Sequence, residues 1–270
     1  MRVNGRRGMG EHALSVQSLS VQLGARQVLR GIHAPFELGR WTCIVGPNGA
    51  GKSSLLKALV GLLPSTGKIE LGGLALTHWD AQRRAQHIAW LAQDETGGAA
   101  LRVRDLVMLG RLPHLGLLGA VTSADQTACE QAMQATQTSG FADEPLGTLS
   151  AGQQQRVRLA RALATQAPIL LLDEPLANLD PPHQLECVQL IRRLVAQGST
   201  VITVLHELPM ALQSDELLIL QAGELVHQGG SQLDATHRAL ERVFDHTIRV
   251  VQLTHAGQAH WVVVPNSTRG

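Results

Sequence analysis

Eight consecutive positions, Gly46-Pro47-Asn48-Gly49-Ala50-Gly51-Lys52-Ser53, gather three glycines, a lysine and a hydroxyl at the spacing G-x-x-x-x-G-K-[ST]. The chemistry open to such a run is phosphate binding. The glycines let the main chain close around an anion with its N–H groups pointing inward, and a helix starting beyond Gly51 adds its positive end. Lys52 is placed to reach the β- and γ-phosphates of a nucleoside triphosphate, and the Ser53 hydroxyl to ligate Mg²⁺. With Ser54, these residues form the candidate nucleotide cradle. An apolar run over 42–45 and a helical run over 53–61 supply the strand before and the helix after that the motif needs.

A second chemical element is Ile169-Leu170-Leu171-Leu172-Asp173-Glu174-Pro175. Four aliphatic residues predict a strand buried on both faces. Two carboxylates follow at its C-terminal end, where α/β sheets bind ligands. Asp173 is placed to hold Mg²⁺, and Glu174 to polarise an attacking water as general base. A third element is Leu149-Ser150-Ala151-Gly152-Gln153. Ser150 reads as an N-cap, so the helix after it offers its positive end to an anion.

The elements that must position these groups are legible in outline. Residues 14–23 alternate apolar and polar with one slip in phase, predicting an edge strand with a bulge. A turn at 24–27 leads to a strand over 28–36, and 41–45 is the strand feeding the phosphate loop. Short strands follow at 68–71 and 88–92. Residues 98–165 lose strand character and read as a helical subdomain, with helices over 103–110, 123–139 and 151–164. Ser123 with Gln126 resembles a capping box. Strands return at 169–172, 200–204 and 217–220, with a helix over 181–197 whose two prolines sit in its first turn. This alternation implies a largely parallel sheet. The end reads as a hairpin, 248–253 with 259–264, turned at Ala256-Gly257.

Composition narrows the function classes. A formal net charge of +1 over 270 residues gives no basic field for nucleic acid. Aromatic residues make up 3% and tyrosine is missing, which argues against a stacking surface for single strands. Cys43, Cys129 and Cys187 are far apart, so neither a zinc pair nor a disulfide framework is indicated, and a reducing cytoplasm is the simplest setting. Residues 1–12 read as a disordered tail without the apolar stretch of a signal peptide. No apolar run approaches the roughly 18 residues of a transmembrane helix, so any work at a membrane needs a membrane-spanning partner.

With the 149–153 loop beside the other two elements, the chain resembles the ATP-binding cassette family, whose signature loop is Leu-Ser-Gly-Gly-Gln; Ala151 departs from it by one methyl group. The resemblance spans residues 14–264. It implies a P-loop NTPase (RecA-like) α/β fold: a mixed sheet core with an antiparallel β edge and an inserted helical subdomain, making one cassette over 13–265. It also implies that Ser150 and Gly152 contact the γ-phosphate bound to a second copy of the chain, with Gln153 beside them among the nucleotide-binding residues. Gln93 matches the glutamine that senses Mg²⁺ and couples to the transmembrane partner. Asp180, in Ala177-Asn178-Leu179-Asp180, matches the loop that communicates across the dimer, and His206 the histidine that holds the γ-phosphate. The family's adenine-stacking aromatic is missing; the matching spot falls at or near Leu23.

Residues 103–114, 183–186 and 243–245 are similar to the cobalamin, ferric-siderophore and haem import subgroup. The implied protein is an ATPase using ATP and Mg²⁺ on the cytoplasmic face of the inner membrane. Its partners would be a second copy, transmembrane permease subunits and, indirectly, a substrate-binding protein, with no nucleic acid. The alternatives are a non-transport ATPase of the same family, an exporter subunit, and an ATP-sensing regulatory subunit.

Overall fold

Trp41 opens a strand with no exposed residue along its length, and its indole Nε1 donates to the Thr203 hydroxyl at 2.9 Å. That strand leads directly into the phosphate loop. The computed structural model describes residues 12–93, 97–115, 119–255 and 258–266. The chain divides into two compact units, residues 1–78 with 202–270, and residues 79–201.

The first unit begins with β1 (His12–Leu23), β2 (Arg26–Glu37), β3 (Trp41–Val45), α1 (Lys52–Leu59), β4 (Thr66–Leu71) and β5 (Leu74–Ala75). The second unit then runs through α2 (Ala81–His87), β6 (Ile88–Leu91), α3 (Val103–Met108), α4 (Ser123–Ala135), α5 (Ala151–Ala164), β7 (Ile169–Asp173) and α6 (Pro181–Ala196). The chain passes through β8 (Thr200–Val204) and resumes the first unit with α7 (Leu208–Ala211), β9 (Glu216–Gln221), β10 (Glu224–Gly230), α8 (Asp234–Val243), β11 (Ile248–His255) and β12 (Gln258–Pro265).

In the first unit one sheet has the order β2-β1-β4-β5. β1 therefore lies inside it, antiparallel to β2 on one side and β4 on the other, which corrects the expectation of an edge strand. Alternation reports that one face is buried; it is silent on whether the flanking hydrogen-bond rows are filled. The slip in phase is a real bulge: both registers shift near Ser18, whose φ is 50°. A second layer carries β10-β9-β3-β8, with β3 and β9 parallel and β9 and β10 antiparallel. β11 and β12 form a separate antiparallel ribbon. The turn expected at Ala256-Gly257 and the tail over 1–11 lie outside the described residues.

The second unit pairs β6 with β7 in parallel and packs three helices around their own core. Val103, Leu106, Val107, Cys129, Met133 and Val157 are among its buried members. Burying one such aliphatic side chain contributes roughly 1.5–3 kcal/mol relative to leaving it exposed. The capping box before α4 uses Thr122 and Asp125 rather than Ser123 and Gln126. Asp125 is the better reciprocal acceptor because its carboxylate takes both the Thr122 amide and hydroxyl. That helix ends at Ala135, not at 139.

Arg111, buried, ties this helical region together. It donates to Asp125 at 2.9 Å and to the Ala164 carbonyl at 2.8 Å, satisfying the C-terminal end of α5. His114 donates to the Thr165 carbonyl beside it, at 2.8 Å. Among the described residues no helix is long and apolar enough to cross a membrane.

Candidate functional site

The phosphate loop sits at the end of β3, and Gly46 explains why the chain turns there. Its φ is 149°, and a Cβ at this position would stand 2.1 Å from the Leu220 carbonyl of β9. Only glycine lets the loop leave the sheet against that strand. Lys52 is 6% exposed, and its Nζ donates to the Gly46 carbonyl at 2.8 Å and the Pro47 carbonyl at 3.0 Å. The ammonium is thus held inside the ring of its own loop. No side chain caps α1, whose N-cap is the left-handed Gly51. The helix dipole and the first-turn amides therefore meet whatever lies in the loop. Asn48 and Gly49 are exposed, while Ala50 is buried and Ser53 and Ser54 are half-buried.

His206 lies two residues beyond β8, exposed, as the sequence places it. It lines a cavity of about 250 Å³ together with Gly46, Pro47, Asn48, Leu208 and Phe244. The structure thus brings the histidine and the start of the phosphate loop to one hollow. Phe244, the residue after α8, forms part of its wall. Its position in the 243–245 segment carries no chemical signal in sequence, and only the packing gives it a place. Leu23, the expected adenine position, ends β1 and is 46% exposed.

In the second unit, Asp173 is the last residue of β7, a strand buried at all five positions. Glu174 follows with φ 52°. The Gln93 side chain donates from Nε2 to Glu174 Oε1 at 2.9 Å. Two residues expected to act at one phosphate are therefore in direct contact across 81 positions of sequence. The Ser150 hydroxyl accepts from the Gln153 amide N–H, and Gln153 Oε1 accepts from the Ser150 N–H, a reciprocal box that starts α5. A Cβ on Gly152 would stand 2.8 Å from the Asn178 carbonyl, so the head of α5 packs directly on the loop that follows Glu174. Asp180 caps α6 by accepting from the His183 amide N–H, and its carboxylate also meets the His183 ring. The His183 hydrogen bond, ahead of other causes, holds the Asp180 carboxyl below its ordinary range.

The donor set read from the sequence for a cation is a hydroxyl (Ser53), an amide (Gln93) and a carboxylate (Asp173). These oxygen groups suit a hard divalent ion that arrives with phosphates. The glycine-rich loop at the end of β3, the uncapped α1 and the enclosed lysine define a P-loop nucleotide-binding protein.

Comparison with known proteins narrows the class. The ABC transporter family model matches residues 29–177. Over 259 residues the chain is 36% identical to the hemin import ATP-binding protein of Streptomyces coelicolor, covering 95% of this chain and 91% of that one. It is 35% identical over 252 residues to the ferric enterobactin transport ATP-binding protein of Escherichia coli, covering 92% of each. It is 35% identical over 240 residues to the cobalamin import ATP-binding protein of Halobacterium salinarum, where it spans 60% of that protein's length. A metal-chelate type ABC transporter in an inward-facing conformation superposes with a TM-score of 0.81 at 26% identity, covering 95% of this chain and 98% of that one. A bacterial ABC transporter cassette solved as a dimer has the same fold, with a TM-score of 0.75 at 24% identity, covering 82% and 99%. The chain belongs to the ABC transporter family. It is an ATP-binding ATPase subunit with the mixed α/β fold of that family's cassettes.

Proposed function

We propose that this chain energises the uptake of a metal chelate, of the haem, cobalamin or ferric-siderophore class, by hydrolysing ATP for a partner permease. The observation that carries this reading is identity of 35–36% to ATP-binding proteins of all three kinds of importer. The cassette occupies residues 13–265, with the helical subdomain over 98–165. It works on the cytoplasmic face of the cell membrane, held there by transmembrane permease subunits, and a substrate-binding protein on the far side delivers the cargo.

Each ATP is served by Lys52, Ser53, Gln93, Asp173, Glu174 and His206 of one copy and by Ser150, Gly152 and Gln153 of a second. A two-fold arrangement makes the two sites equivalent, and Asp180 lies in the loop facing the partner copy. Residues Gly46 to Gly51 wrap the triphosphate with main-chain N–H groups, Lys52 neutralises its terminal oxygens, and Ser54 continues the cradle into α1. Mg²⁺, when bound, would be held by Ser53, Gln93 and Asp173 and would offset charge on the β- and γ-phosphates. Glu174 takes a proton from water as the water oxygen bonds to the γ-phosphorus. The bond from that phosphorus to the bridging oxygen breaks, leaving ADP and inorganic phosphate. His206 hydrogen-bonds the γ-phosphate and Gln93 orients the Glu174 carboxylate.

The test is affinity capture of the tagged Glu174→Gln protein, with ATP and Mg²⁺, from detergent-solubilised native membranes. Recovery of a polytopic permease supports the importer, and recovery of soluble proteins alone overturns it in favour of a non-transport ATPase.

A further inference from the structure

Glu174 holds a left-handed backbone, φ 52°, which a residue with a side chain adopts rarely and at a cost. Its main-chain carbonyl shows what keeps it there. The Ala177 amide N–H reaches that oxygen at 3.1 Å, closing the turn after β7. The Gln155 side chain donates to the same oxygen from Nε2, at 3.0 Å. Gln155 is only 3% exposed, so its bond is sheltered from competing water. It lies in the second turn of α5, the helix capped by Ser150. One turn earlier, Gly152 packs on the carbonyl of Asn178, itself left-handed with φ 62°. The head of α5 thus grips both ends of the turn over 174–178, by a hydrogen bond at Glu174 and by close packing at Asn178.

We infer that Gln155 is a positioning residue for hydrolysis: its hydrogen bond fixes the backbone from which the Glu174 carboxylate is aimed. This rests on the reading of Glu174 as general base. The same bond ties that aim to the helix carrying Ser150, Gly152 and Gln153. In the two-copy arrangement that helix meets the partner's nucleotide, so nucleotide docking at the head of α5 is felt by the carboxylate acting on the chain's own ATP. Gln155 touches neither ATP nor water in this account. Its loss acts on turnover and on the coupling between sites, and leaves affinity for ATP in place.

The experiment compares the full-length protein with Gln155→Met, Gln155→Glu, Gln155→His and Glu174→Gln. Equilibrium binding of a fluorescent ATP analogue, steady-state ATPase rates over a range of ATP concentrations, and melting temperature are measured for each. Methionine and glutamate keep the length of the side chain but cannot donate as the amide does, whereas histidine keeps an N–H at similar reach. For Gln155→Met and Gln155→Glu the expected result is a kcat lowered by about tenfold, nucleotide affinity within about twofold of wild type, and a reduced Hill coefficient. Gln155→His is expected to regain part of the lost kcat. If Gln155→Met does not fold, Gln155→Glu alone decides. Wild-type kcat in a folded non-donating variant overturns the inference. So does a parallel loss of affinity, kcat and melting temperature that histidine fails to relieve, which marks a general packing role. Glu174→Gln separates the two claims: if it hydrolyses ATP at the wild-type rate, the base assignment itself has failed. If it is inactive while Gln155→Met is unimpaired, only the positioning role has.

Discussion

Gln93 Nε2 and Glu174 Oε1 lie 2.9 Å apart, a hydrogen bond between the second residue past β6 and the first residue past β7. β6 and β7 are parallel neighbours, paired from Ile88 with Ile169 to Leu91 with Leu172, so residues just past their ends fall side by side. The sheet register, not the loop, makes the contact. A hydrogen bond to a charged group is worth roughly 1.5–3 kcal/mol. Gln93→Ala is therefore expected to lower kcat by roughly 10- to 100-fold. Steady-state ATPase kinetics check this; an unchanged kcat would show that the contact does not orient the base.

Lys52 is the only cationic side chain within the phosphate loop, and its Nζ already lies among the loop carbonyls. Lys52→Ala is expected to abolish hydrolysis and to weaken ATP binding by roughly 10- to 100-fold, the scale of one charge-assisted hydrogen bond. Equilibrium nucleotide binding and a turnover assay measure both; wild-type turnover would displace the triphosphate from this loop.

Gly46→Ala tests how the loop is seated. The new methyl group would meet the Leu220 carbonyl, and main-chain oxygen cannot step aside as a flexible side chain can. A loss of about 1–3 kcal/mol in unfolding free energy is expected, read from urea denaturation midpoints. Stability equal to wild type would mean that the loop and β9 are further apart than described.

The tests at Lys52 and Gly46 rest on a motif whose chemistry demands consecutive residues, and for the same reason the phosphate loop, β7 with Glu174 after it, and the Ser150 cap were legible from sequence, whereas Gln93 was placed only by the family resemblance. Other parts depend on what lies beside them. β1 reads the same whether β4 flanks it or not. α2 buries none of its residues and is announced only by the Asp80 cap, so it has no apolar period to find. β10 ends in Gly229-Gly230, a poor strand signal, yet it is held by pairing with β9. Gln155 is one of three consecutive glutamines, and only the helical phase of α5 against the turn after β7 singles it out. Arg111 and His114 belong to the 103–114 segment that resembles the chelate-import subgroup. In the structure they secure the end of α5, so these two residues have a packing role in the helical region that the sequence did not announce.

Asp125 gives an acid-stability prediction. Hydrogen bonds from the Thr122 hydroxyl and amide, then from Arg111, hold its carboxyl down at about 2, against an ordinary 3.8. The folded value lies below the unfolded one, so this contribution is fully present above about pH 4 and is lost as pH falls toward 2. Asp125→Asn is expected to be less stable than wild type at neutral pH and to show a shallower fall in urea midpoint between pH 4 and 2. An identical pH profile would remove Asp125 from the acid response.

Thiol chemistry offers an independent check on the core. Burial pushes Cys43 and Cys187 up to about 12, and also raises Cys129. At pH 8 almost no thiolate forms at these sites, and all three thiols are buried. A thiol-specific chromogenic reagent is expected to label the native protein negligibly and all three cysteines after denaturation. Rapid labelling of the native chain would contradict the packing around β3, α4 or α6.

The most direct test of the account is size-exclusion chromatography of the Glu174→Gln protein with ATP and Mg²⁺, with turnover measured on the same sample. The expected result is an ATP-bound dimer that does not hydrolyse its nucleotide, while wild type hydrolyses ATP and returns to monomer. A variant that turns over at the wild-type rate, or that binds ATP and still elutes as a monomer, would contradict a paired ATPase with Glu174 as its base.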